Sequence, residues 1–291
     1  MPRQKKRAKK ETTMDGLSLE IKLDHPEVTR LLFHPRRQEK GQTPAGCCDL
    51  DIPVADGITV GARFYLAGKE APNILFFHGN GEVVEDYDEI GAAFAARNMS
   101  FLAVDYRGYG WSGGEPSASR MMRDCHLVFD FVRNWLAAEE RKGFFLVMGR
   151  SLGSACAIEL AVTEREAVAG LIIDSGFAST LPLLRCLGLD VDRLGLREEE
   201  CFNNLKKISR YSRPLLVLHA QLDEIIPIGE AAELQSCCVS RLSEFQIVPG
   251  ADHNTIFAVT GPLYFEVVGR FVNKIGMPVR RRHTGRLGRR D

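Results

Sequence analysis

Ser151 sits in Gly149-Arg150-Ser151-Leu152-Gly153, a literal G-x-S-x-G directly after the apolar run Phe144 to Met148. A serine hydroxyl attacks a carbonyl only when an imidazole removes its proton, and the imidazole is held in one tautomer by a carboxylate on its other nitrogen. Two segments further along offer those groups: Ala220-Gln221-Leu222-Asp223-Glu224 and Pro249-Gly250-Ala251-Asp252-His253-Asn254. Ser151, Asp223 and His253 can therefore supply nucleophile, orienting acid and base for acyl transfer. Each also has a plainer meaning, as a chance motif in a glycine-containing chain, a turn aspartate and a surface-loop histidine. Glu224 and Asp252 are rival acids, although Asp252 directly precedes His253 and is too close in sequence to face its ring comfortably.

These residues are useful only if the elements before them bring them to one place. Apolar runs with strand character precede every polar motif: Asn73 to Phe77 before His78-Gly79-Asn80-Gly81, Phe101 to Val104 before Asp105-Tyr106-Arg107-Gly108-Tyr109-Gly110, then the run before Gly149, Val168 to Ile173, Leu215 to His219, and Glu244 to Val248. Between them lie helical periodicities over Glu82 to Arg97, Ser117 to Ala138, Ser154 to Ala161, Gly229 to Cys237 and Pro262 to Ile275. Ile52 to Val54 and Ile58 to Leu66, joined at Asp56-Gly57, predict a hairpin that starts the sheet. Leu17 to Arg37 is ambiguous beyond a short helix around Pro26 to Phe33. Strands alternating with helices imply a mostly parallel sheet covered on both faces, with functional groups gathered at the strands' carboxyl ends.

Acyl transfer also needs donors aimed at the carbonyl oxygen as it gains charge. The N–H of Leu152, at the start of a helix, is one such donor, and the glycines around Asn80 make the Asn80 N–H the second. His78 precedes those glycines and is read as shaping the loop. Gly108-Tyr109-Gly110-Trp111-Ser112-Gly113 is a literal G-x-G-x-x-G, but Gly114-Glu115-Pro116-Ser117 continues it as a loop where a dinucleotide site needs a helix N-terminus. No H-E-x-x-H and no paired C-x-x-C occurs, so neither a metal nor an organic cofactor is expected.

Composition bounds the rest. The 291 residues, 45% of them apolar, suffice for one large α/β core. The formal net charge of zero hides a segregation. Setting aside the six Lys and Arg before Glu11 and the six from Arg280 onward, together with Glu11 and Asp291, leaves 26 basic against 36 acidic side chains over residues 14–275. The basic ends, residues 1–13 and 276–291, lack apolar periodicity and read as disordered solubilising tails, with weak contact to an anionic surface as the alternative use; no specific nucleic-acid partner is expected. No apolar run spans a bilayer and the start lacks a hydrophobic signal core. The eight cysteines, with Cys125 and Cys156 inside apolar helical patterns, read as reduced and structural, which fits the cytoplasm.

The set H-G-N-G, D-Y-R-G-Y-G, G-R-S-L-G, L-D-E-I-I-P and G-A-D-H-N resembles the α/β-hydrolase superfamily over roughly residues 48–275, and is most similar to its short-lidded branch of depalmitoylase-like and serine-aminopeptidase-like enzymes. The resemblance implies an α/β-hydrolase fold with an eight-stranded, mostly parallel sheet, helices on both faces and a short helical lid. It also implies a triad of Ser151, Asp223 and His253, and an oxyanion hole from Asn80 and Leu152. Residues 178–213 break the strand–helix rhythm with short helical pieces, including Thr180 to Leu187 and Glu198 to Ile208, and are expected to form the lid. Leu181, Leu184 and Leu187, with Leu183, are the expected lining of a pocket for a small-molecule or acylated substrate, or else merely pack the lid onto the sheet. The resulting expectation is a serine hydrolase acting on an ester or thioester. The alternatives are a peptidase of aminopeptidase type, which would need Glu82, Glu115 or Glu224 to hold a substrate ammonium, and a non-catalytic binding protein that kept the fold.

Overall fold

The strands form because their side chains alternate between two apolar faces. In the computed structural model, which describes residues 21–276, Leu75, Phe77, Leu102, Val104, Val147 and Val217 enter one core layer. Their neighbours Ile74, Phe76, Phe101, Ala103, Leu146 and Leu216 enter the other. That two-residue period is what a sheet covered on both faces requires.

The strands are β1 (Cys47–Ala55), β2 (Ile58–Tyr65), β3 (Asn73–Phe77), β4 (Ser100–Val104), β5 (Phe145–Arg150), β6 (Val168–Asp174), β7 (Leu215–Ala220) and β8 (Ser243–Val248). They make one eight-stranded sheet in the order β1-β2-β4-β3-β5-β6-β7-β8. Pairing is antiparallel for β1 with β2 and β2 with β4, and parallel from β4 to β8. The hairpin turns at Asp56-Gly57 as expected, but β1 begins at Cys47, five residues before the run that signals it.

The helices are α1 (Pro26–Leu32), α2 (Asp88–Ala95), α3 (Ala118–Ala138), α4 (Ser154–Thr163), α5 (Thr180–Cys186), α6 (Asn204–Ile208), α7 (Ile228–Cys237), α8 (Ile256–Thr260) and α9 (Pro262–Gly276). Apolar residues of α3, α4, α6 and α7 fill the first layer, and those of α2, α8 and α9 the second. Three sequence expectations need correction. The helix expected over Glu82 to Arg97 is a 3-10 turn, Val84–Tyr87, followed by α2, because the Glu82 carboxylate turns back to accept from Gly79 N–H at 2.6 Å. The segment Glu198 to Ile208 is split into a 3-10 turn, Glu198–Glu200, and α6, with Asn203 between them at φ +60°. α8 has no counterpart in the sequence reading. At Gly108 to Gly113 no helix begins; the chain loops until α3 is capped by the Ser117 side chain.

The ambiguous N-terminal stretch is a strap across the sheet's carboxyl edge. His34 N–H donates to Asn80 Oδ1 at 2.8 Å and to Tyr109 Oη at 2.9 Å, and Arg36 pairs with Asp86 at 2.8 Å. Lys22 pairs with Glu200 at 2.6 Å, and Arg193 pairs with Glu27, so the strap also ties to the segment between β6 and β7. Of the segments read as tails, 1–13 and 276–291, all but Gly276, the last residue of α9, lie outside the described residues. Among the described residues no helix is long and apolar enough to cross a membrane, and all eight cysteines are free.

Candidate active site

The turn from β5 into α4 is tight enough to hold Ser151 at φ +49°, a left-handed conformation that a non-glycine residue adopts only under local constraint. The flanking glycines make the turn possible. A Cβ at Gly149 would lie 2.3 Å from Gly153 O, and one at Gly153 would lie 2.1 Å from Phe77 O. No side chain fits at either position, so the spacing G-x-S-x-G follows from backbone passing against backbone at the end of β3 and β5.

Three loops then converge. Ser151 Oγ is 3.0 Å from His253 Nε2, and His253 Nδ1 is 2.6 Å from Asp223 Oδ2. Asp223 is fixed from the other side, because Oδ1 accepts from Ile225 N–H at 3.0 Å and Ile226 N–H at 2.8 Å. Burial alone would raise the Asp223 pKa, but the hydrogen bond and charge of His253 together with the Ile226 N–H outweigh it and hold the carboxyl below its ordinary range. A carboxylate can only accept, so His253 Nδ1 carries the proton and Nε2 is free to accept from Ser151. Of the rival acids, Glu224 is exposed, and Asp252 accepts from Asn254 N–H and Thr255 in its own turn.

His219, the last residue but one of β7, lies behind the acid. Its Nε2 donates to Ile226 O at 2.7 Å and stands 3.4 Å from Asp223 Oδ2. Burial lowers its pKa, which keeps a second charge away from the Asp223–His253 pair.

The loop after β3 faces Ser151 from the opposite side. Asn80 and Leu152 both line the cavity over Ser151. The Asn80 side chain is held by His34 and by Tyr109 Oη, at 2.8 Å to each. Its own N–H makes no hydrogen bond within the described residues. His78 is fully buried, with Nε2 3.1 Å from Asp105 and Nδ1 donating to Gly79 O at 2.8 Å, which is the loop-shaping position expected for it.

Arg150 is the group that sequence reading passed over. Its buried guanidinium donates through Nε to Glu82 Oε1 at 2.8 Å and through a terminal nitrogen to His253 O at 2.9 Å, with Asp174 3.9 Å from the other. Glu82 Oε2 in turn accepts from Gly79 N–H at 2.6 Å and Tyr87 Oη at 2.5 Å. Burial would raise the Glu82 pKa, but the Arg150 charge and the Tyr87 hydrogen bond hold it down. One cation thus links the loop after β3 to the loop that carries His253. The only signal for it was a positive charge in the variable position before the serine.

The cavity over Ser151 measures about 230 Å³ and has a polar floor and an apolar wall of Leu32, Leu183, Leu187 and Ile225. Leu187 is where the sequence reading put it. Leu184 is not, since it is fully buried against the sheet, and Leu181 packs on the same core. Along α5 and its C-cap the positions four apart, 183 and 187, share the face toward Ser151, and 180 and 184 share the one toward the core. Leu32 comes from the strap and has no sequence signal beyond a short helical pattern. Among the described residues no cluster of His, Cys, Asp and Glu is arranged to hold a metal ion.

Comparison with known proteins agrees with this architecture. A family model described as serine aminopeptidase, S33, matches residues 68–184. The chain is 26% identical over 239 residues to protein bem46 of Schizosaccharomyces pombe, covering 79% of this chain and 78% of that protein. It is 29% identical over 194 residues to human alpha/beta hydrolase domain-containing protein 17B, covering 63% of this chain and 60% of that protein. Among solved structures, the Pyrococcus furiosus esterase Pf2001 superposes with a TM-score of 0.67 at 19% identity, covering 82% of this chain and 98% of the esterase. A Paleococcus ferrophilus monoacylglycerol lipase superposes with a TM-score of 0.59 at 14% identity, covering 74% of this chain and 99% of the lipase. The sheet order, the strained serine between β5 and α4, and neighbours of this kind together give the chain the α/β-hydrolase fold.

Proposed function

We propose that the protein is a serine hydrolase that cleaves a carboxylic ester or thioester through an acyl-enzyme on Ser151. The observation that carries this reading is the unbroken series Ser151 Oγ, His253 Nε2 and Nδ1, Asp223 Oδ2, at 3.0 Å and 2.6 Å. His253 takes the Ser151 proton as Oγ attacks the carbonyl carbon, and Asp223 stabilises the imidazolium that results. The carbonyl oxygen gains charge between the N–H groups of Leu152 and Asn80, with the α4 N-terminus adding its dipole. His253 then gives the proton to the leaving alcohol or thiol, and a water molecule activated by His253 releases the acid. Residues 178–213 act as the lid, and Leu187 with Leu183 of the lid forms one side of the substrate cavity. The eight free cysteines support a reducing, cytoplasmic setting.

The name of the matching family model favours an aminopeptidase as second reading. That chemistry needs an acidic group free to hold an ammonium. Glu82 lines the cavity, but both its oxygens are engaged and Arg150 already offsets its charge; Glu115 pairs with Arg37 at the surface and Glu224 is exposed. The ester reading therefore stands ahead of it. A fluorophosphonate probe tests the chemistry, and p-nitrophenyl esters, acyl thioesters and aminoacyl-anilides compared side by side test the bond. Covalent labelling at Ser151, lost in Ser151→Ala, is expected. Folded protein that takes no label at Ser151 would overturn the reading.

A further inference from the structure

Behind the apolar wall of the Ser151 cavity lies a second cavity of about 100 Å³. The two share Leu183 and Ile225, so these side chains form a partition with space on both sides. The far side is bounded by Phe177, Pro182, Cys186, Ile226 and Pro227. Its one carboxylate, Glu230, is turned to the backbone, with Oε2 accepting from Ala178 N–H at 2.9 Å and Ser179 N–H at 2.8 Å. Those bonds place the group in the wall as a structural anchor, so the lining offers a ligand mainly hydrocarbon.

Resting on the hydrolase reading above, we infer that Leu183 and Ile225 set the acyl-chain length of the substrate by separating a short-chain site over Ser151 from an apolar extension behind them. The two side chains come from different elements: Leu183 from α5 in the lid, and Ile225 from the loop that carries Asp223. Ile225 is 36% exposed and Leu183 is 9% exposed, so the partition can be thinned from either side, and from the Ile225 side with little disturbance of the core. An acyl chain bonded to Ser151 runs along the apolar wall, because the polar floor is occupied by the groups that act on the carbonyl. With the partition intact it stops there. Truncating either side chain to alanine opens the extension to the end of a longer chain.

The test is the ratio of kcat/KM for p-nitrophenyl octanoate to that for the butyrate, in the wild type and in Leu183→Ala and Ile225→Ala. Each newly buried methylene favours binding roughly fourfold, so two admitted methylenes raise the ratio about fifteenfold. In the Leu183→Ala background, Cys186→Phe, which fills the far cavity, should bring the ratio back toward the wild-type value. An unchanged ratio in both alanine variants would overturn the inference while leaving the hydrolase reading intact. A raised ratio that Cys186→Phe leaves unaltered would also overturn it, by placing the extra room elsewhere. A wild-type protein that hydrolyses no ester of the series and takes no phosphonate label would instead overturn the hydrolase reading, and this inference with it.

Discussion

Replacing Arg150 by methionine keeps an unbranched apolar stem and removes the cation that joins two loops of the site. The loss has three parts: the ion pair with Glu82, the bond to His253 O, and the compensation of a carboxylate that burial already disfavours. Breaking one partner out of a buried pair costs about 3–5 kcal/mol. The Glu82 side chain retains 24% exposure, so water recovers part of its solvation and the lower end applies, about 3 kcal/mol. For a domain of this size that corresponds to a fall in Tm of about 6 °C. The pH dependence has a definite sign. The folded-state pKa of Glu82 is depressed, so the stability it contributes is present above the unfolded value of about 4.3 and is lost as pH falls through the folded value. Without Arg150, burial dominates and the shift reverses, so the gap between variant and wild type is full at neutral pH and closes as pH falls first through the variant's raised value and then through the wild type's depressed one. Urea denaturation at several pH values measures both effects. Arg150→Met combined with Glu82→Gln removes the uncompensated Glu82 charge and should be less destabilised than the sum of the two single variants. Strict additivity, or a gap that does not depend on pH, would refute the account of Arg150 as the charge that holds these loops together.

Three further outcomes follow from the immediate surroundings of single residues. Gly153→Ala places a Cβ 2.1 Å from Phe77 O, where only backbone could yield, and should lower stability by about 3 kcal/mol in thermal or urea unfolding. Gly229→Ala, in the first turn of α7 with nothing within 4 Å of the new atom, should instead raise it by about 0.5 kcal/mol and serves as the matched control. Asn80→Ala removes the side-chain bonds to His34 and Tyr109 while keeping the backbone N–H, and should lower kcat about tenfold with KM little changed, read on any ester the wild type accepts.

The sheet was legible because its strands are apolar runs with loop motifs at their ends. Leu75, Phe77 and their neighbours Ile74 and Phe76 divide between two layers without exception. Ser151 is marked by its G-x-S-x-G, and Asp223 and His253 by polar motifs that each lie just past the end of a later strand. What escaped notice depends on contacts between distant segments. Arg150 looked like filler between two glycines, and Glu82 like a free anion, because neither reveals that the other lies 2.8 Å away. Leu184 and Leu183 are not told apart by sequence because a seven-residue helix with leucine at 181, 183 and 184, and at its cap position 187, shows no single apolar face until something packs against it. Similarly, the strap buries Leu23, Val28, Leu32 and Phe33 in the core, but around one seven-residue helix these make too short a pattern to signal docking, and the polar partners of His34, Arg36 and Lys22 lie far along the chain.

That strap has a bearing on the order in which the molecule is assembled. It leaves the ribosome before any strand of the sheet, yet its anchors are Asn80 and Tyr109 and, for Lys22, a glutamate 178 positions later. Its docking is therefore complete only when β3, β4 and the stretch before β7 have been synthesised and have met. A nascent chain arrested before residue 200 already carries Asn80 and Tyr109, so it can seat His34 with Leu32 beside it, but it lacks the Lys22 clasp. One wall of the cavity is thus supplied by the earliest-made part of the described chain, and the last tie on it waits for Glu200.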